Sequence, residues 1–97
     1  MKVKLGAIKG VKDVRIADIT YDFDGISAEI VGTDEIHIVT IAPEKVACSC
    51  PYFFFNKPVV CKHIAAVLLR TKEEEPELFE EAVTWVVDNL GVEINAT

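Results

Sequence analysis

The chain has 97 residues, 51% hydrophobic and 27% charged, which suits one domain small enough for a bound metal to reinforce a modest core. This composition, without low-complexity tracts, excludes a disordered chain, and the apolar runs are too short to span a membrane. The formal net charge of −6 counts against general nucleic-acid binding, but it is uneven: −2 over residues 1–43, +4 over 44–72 and −8 over 73–97.

In chain order, Lys2-Val3-Lys4-Leu5 alternates like a short strand or edge segment, interrupted by Gly6 and Gly10. The first residues lack the apolar core of an export signal, so the expected location is cytoplasmic, or nuclear in a eukaryote. From Val14 to Phe23 the apolar positions alternate but change parity between Ile16 and Ile19, which predicts a bulge near Ala17-Asp18. Asp24-Gly25 is a turn signal leading to a strand over Ile26 to Val31. Gly32-Thr33-Asp34 is a second turn, and a third strand follows over Glu35 to Ile41 with Ile36, Ile38 and Thr40 on one face. His37, between two isoleucines and without a ligand partner at metal spacing, reads as an outward-facing strand residue. Residues 1–45 are thus expected as antiparallel strands, a meander.

Ala42-Pro43-Glu44-Lys45 breaks that strand, and a short returning strand presents Cys48 and Cys50. Two residues apart on extended backbone, these side chains project to one side and can grip one ion. Cys61 and His63 have the same spacing, but inside a regular helix residues two apart diverge by about 200°. Cys61 must therefore precede the first full turn, where the positive end of a helix favours its thiolate, with His63 just inside. Three thiolates and one imidazole complete a tetrahedral zinc set, one ion per chain. A disulfide framework does not fit three cysteines, and three free cysteines in fourteen residues beside a histidine are not typical core usage.

Cys48-x-Cys50 followed by Cys61-x-His63 resembles the SWIM zinc finger, with Pro51-Tyr52-Phe53 after the first pair and an apolar helix after the second. The resemblance implies a ββα-type module, here residues 46–71. The extension Cys61-x-His63-x-x-Ala66 is similar to the SWIM subunit of Shu-type recombination complexes, which implies that Ala66 is a packing residue. It further implies a recombinase-paralogue partner and a role in homologous recombination and DNA repair.

Tyr52 to Phe55 are four consecutive aromatic residues that one face of an extended segment cannot bury together, so one pair is expected behind the metal and the other exposed. A helix is expected from about Cys61 to Thr71, with Ile64, Val67 and Leu68 as its packing stripe. The next, residues 76–90, starts at an early proline and stops at Gly91. Its apolar positions cover about 200° of arc, wider than the ~100° stripe one sheet covers, which reserves Trp85 and Val87 for a partner protein or a second copy.

The fold class expected is α+β: an antiparallel meander, a zinc-bound ββα-type SWIM module and a C-terminal amphipathic helix. Four protein ligands leave no open coordination position, so the function expected is noncatalytic, a protein-interaction adaptor using Tyr52, Phe54, Trp85 and Val87. The alternative is a finger that binds nucleic acid weakly, or regulates transcription, through Lys57, Lys62, Arg70 and Lys72. No membrane partner is expected.

Overall fold

A computed structural model describes residues 2–56 and 59–95 of the chain. Alternation of β-branched residues builds four antiparallel strands in sequential order: β2 (Arg15–Asp22), β3 (Gly25–Val31), β4 (Ile36–Ala42) and β5 (Lys45–Cys48). In β2 the pairing shifts between Ile16 and Asp18, so the bulge keeps Ile16, Ile19 and Tyr21 half-buried on the inner face despite their odd spacing. The β2–β3 hairpin closes at the Asp22–Gly25 pair. Phe23, expected as the last apolar position of the strand, sits at the tip and is 83% exposed.

Register decides which face of β4 is core. Ile26 pairs with Ile41, Ala28 with Val39 and Ile30 with His37. Because Ile26, Ala28 and Ile30 are buried, Val39 and Ile41 are buried opposite them, and Ile36 and Ile38 face outward, 57% and 43% exposed. The outward reading of His37 is therefore reversed: it belongs to the core-facing set, and its side chain is only 12% exposed.

Three helices follow: α1 (Pro51–Phe55), α2 (Lys62–Glu74) and α3 (Pro76–Leu90). The expected stripe of α2, Ile64, Val67 and Leu68, is fully buried, and so are Ala65 and Thr71. The wider burial arises because α2 packs against the sheet and α3 and also against two short 3-10 turns, Leu5–Ala7 and Val11–Asp13, whose Leu5 and Val11 enter the core. Thr71 satisfies its hydroxyl by donating to the Val67 carbonyl at 2.8 Å, and α2 runs to Glu74, three residues past the expected end.

In α3, Phe79, Ala82, Val86 and Leu90 are buried, while Leu78, Val83 and Trp85 are half-buried against the same core. The broad apolar arc is accommodated by contacts with α2, β4, β5 and a strand absent from the sequence expectation, β6 (Glu93–Asn95). Gly91 ends α3 at φ 66°, a left-handed conformation that L side chains rarely adopt, and its N–H donates to the Val87 carbonyl at 2.9 Å. The reversed chain then buries Val92 and lays β6 parallel to β1 (Lys2–Lys4). The architecture is thus α+β, an antiparallel meander followed by helices. No helix among the described residues is long and apolar enough to cross a membrane.

Candidate metal centre

Cys48 is the last residue of β5 and pairs opposite Val39. Beyond it Ser49 carries the ladder one step further: its N–H donates to the Ile38 carbonyl at 3.0 Å, and its Oγ accepts from the Ile38 N–H at 2.8 Å. This holds the backbone extended through the Cys48-Ser49-Cys50 step, so Cys48 and Cys50 share a side while Ser49 is exposed.

Cys50 then caps α1, its Sγ accepting from the Phe53 N–H at 3.4 Å, with Pro51 in the first helical position. The aromatic run is therefore a short helix and not an extended segment. Only Phe53 is buried; Tyr52, Phe54 and Phe55 are exposed, where a pair was expected inside. Phe54 and Phe55 meet edge to face, ring centres 5.1 Å apart.

Cys61 is the extended residue before α2, its carbonyl accepting from the Ala65 N–H at 3.0 Å, and His63 lies in the first turn. The ligand atoms of Cys48, Cys50, Cys61 and His63 all lie within 4.8 Å of one another, and all four residues are buried. Cys48 Sγ is 3.6 Å from His63 Nδ1. A tetrahedral zinc with Zn–S of about 2.3 Å and Zn–N of about 2.0–2.1 Å holds sulfur and nitrogen about 3.5–3.6 Å apart, so this pair already has the required separation. The compact three-sulfur, one-nitrogen set is consistent with one zinc ion.

The thiols are unequal. Cys61 is drawn down to about 4, first by a hydrogen bond from Cys48 and then, against burial, by His63 and by the Ile64 and His63 N–H groups at the start of α2. Cys48 is pushed up by holding the proton shared with Cys61 and by burial, and Cys50 is pushed up by burial. The cluster thus favours its first thiolate at Cys61; a bound zinc would supply the positive charge that stabilises the other two.

His37 packs against the site: its ring lies 4.9 Å from that of His63, tilted 33°, and its Nε2 is 3.8 Å from a Glu35 carboxylate oxygen. The signal was present in the odd-numbered set His37, Val39, Ile41, but the flanking isoleucines masked it. Ala66 is half-buried against the core.

Of the other expected surfaces, Tyr52 and Phe54 are exposed on α1, whereas Trp85 and Val87 are half-buried on α3. Three of the four cations expected for nucleic acid fall on α2. Lys62 stands at the start of α2, Arg70 pairs with Glu74 one turn on at 3.9 Å, Lys72 is exposed near the end of α2, and Lys57 lies outside the described residues.

No curated protein and no solved structure matches the chain. The family model of the SWIM zinc finger matches residues 37–72, from His37 on β4 through most of α2. All four clustered cysteine and histidine residues fall inside that match, and this segment is similar to the SWIM zinc finger in sequence and in its Cys-x-Cys…Cys-x-His cluster.

Proposed function

We propose that the chain is a noncatalytic zinc-binding adaptor whose metal centre holds an aromatic surface in place for a protein partner. The observation that carries this reading is the economy of α1: Cys50 both belongs to the metal cluster and caps the helix that presents Tyr52, Phe54 and Phe55 to solvent, the last two 68% and 78% exposed. Large exposed aromatic side chains on a fixed support are what protein interfaces use as anchors. Four protein donors would close the coordination sphere, leaving no position for an activated water.

The partner class follows from the resemblance of Cys61-x-His63-x-x-Ala66 to the Shu-type subunit: a recombinase paralogue, with a role in homologous recombination and DNA repair. Zinc-loaded chain carrying Phe54→Ser and Phe55→Ser, mixed with a recombinase paralogue and weighed by native mass spectrometry, should lose the heteromeric complex while retaining one zinc. A complex that survives both substitutions, or that the unaltered chain never forms, rejects the respective part of the reading.

A further inference from the structure

The helices pack on one face of the four-stranded sheet and leave the other to solvent. On that outer face, next to the β3–β4 turn, two rows of side chains lie across the strands. One row is Arg15, Val31 and Ile36, the other Asp18, Glu29 and Ile38, by the pairing of β2 with β3 and of β3 with β4. All six residues are exposed, and Val31, Ile36 and Ile38 form a bare patch of β-branched side chains. Beside the patch, the register sets Asp18 directly opposite Glu29, a like-charge pair that destabilises an antiparallel sheet. Neither carboxylate has an ion-pair partner among the described residues, and neither has Arg15 in the adjacent row. The single chain thus leaves both the aliphatic patch and the carboxylate pair uncompensated. This face is separate from the apolar arc of α3, which contacts within the chain occupy.

We infer that this face pairs with the same face of a second copy of the chain, forming a weak two-fold dimer. The two rows are one pleat repeat apart, about 6.8 Å along the strands. A two-fold axis running across the strands midway between the rows exchanges them. Ile36 of one copy then lies over Ile38 of the other, and each Arg15 lies over Asp18 of the second copy, beside Glu29. The guanidinium supplies the positive charge that the carboxylate pair lacks, while the aliphatic patches exclude water from each other. Self-complementarity identifies the occupant. The face carries both signs at exchangeable positions, whereas an unlike basic partner would leave Arg15 facing like charge. Two such faces, each projecting about 400 Å², bury on the order of 1,000 Å², the low end for a specific interface. A dissociation constant of about 10 μM follows. The inference does not rest on the partner proposed for α1; the dimer carries two copies of that aromatic surface.

The test is sedimentation equilibrium of the zinc-loaded full chain from about 1 to about 300 μM, where half of the chains should be dimeric near about 10 μM. Ile38→Ser, an exposed and therefore structurally tolerated change, should weaken the dimer at least about tenfold. Arg15→Asp and Asp18→Arg should each weaken self-association at least about tenfold. Mixed in equal amounts, these two variants should pair with each other at about the original strength, because each presents the charge that the other lacks. Misfolding of either variant cannot produce such a rescue, and zinc content with circular dichroism verifies that each is folded. A chain that stays monomeric at about 300 μM, a dimer untouched by Ile38→Ser, or charge variants that stay apart when mixed would each overturn the inference, the second in favour of the exposed aromatic residues of α1.

Discussion

Adding one methyl group at Gly32 should disturb the metal centre from outside it. A Cβ there would stand 2.6 Å from the Glu35 carbonyl oxygen and 3.1 Å from His37 Nε2. The first contact is with backbone and cannot be relieved by a rotamer; it also strains the 2.8 Å bond from the Gly32 N–H to that same oxygen, which closes the β3–β4 turn. The second pushes on a ring whose opposite neighbour is His63, 4.9 Å away. Overpacking costs about 1–3 kcal/mol and a weakened backbone hydrogen bond about 1, so Gly32→Ala should cost about 2–4 kcal/mol. For a domain of this size that lowers Tm by roughly 10–25 °C, read by thermal denaturation at saturating zinc. Competition with a chromogenic chelator should show a parallel loss of zinc affinity. Combining the change with His37→Ala separates the contributions, since truncation relieves the ring contact and leaves the backbone one, so the double variant should recover part of the loss. A Tm within about 2 °C of the unaltered chain would refute the close-packing argument.

Removal of the metal by a strong chelator, or Cys48→Ser or His63→Ala, should unfold at least residues 46–70, because zinc binding in such sites is folding free energy; circular dichroism showing native structure in zinc-free protein would contradict this. Leu68→Ala, at a fully buried position, should cost about 2–5 kcal/mol by urea denaturation, and a cost below about 1 kcal/mol would mean that the core collapses around the gap. The Tyr21 hydroxyl donates to a Glu74 carboxylate oxygen at 2.6 Å, and burial followed by that bond holds its pKa at about 12 instead of 10.0. Between those values the unfolded chain has lost this proton and the folded chain keeps it, so stability should fall as pH rises from 10 to 12, and Tyr21→Phe should abolish that component. An alkaline denaturation profile unchanged by the substitution would show that Tyr21 does not set it.

The metal centre was legible because ligand chemistry is local: a cysteine–cysteine pair and a cysteine–histidine pair, each at i,i+2 spacing, announce themselves without knowledge of the fold. The bulge at Ala17 and the stop at Gly91 were legible for the same reason, each being a break in period or a residue that one conformation demands. What escaped depended on partners distant in sequence. His37 looked exposed between two isoleucines until pairing with β3 showed that those isoleucines form the outer face. Tyr52 to Phe55 looked extended because the capping of α1 depends on where the Cys50 sulfur turns. The grouping of Lys2, Lys4, Lys9 and Arg15 with Lys62 around one cleft was hidden because the N-terminal turns must first pack on α2.

The parallel pairing of residues 2–4 with 93–95 orders events in time. Among the described residues every other strand pair joins neighbours along the chain, while this one closes a loop of about 90 residues. At about 0.6 kcal/mol per doubling, that closure costs about 2 kcal/mol more entropy than a ten-residue loop, in return for two short strands. It should therefore be the last contact to form and the first to open in native-state hydrogen exchange, with a transition state that already contains the meander and helices. The clasp fixes β1, so Lys2 and Lys4 take their places beside the metal loop only in the final step of folding.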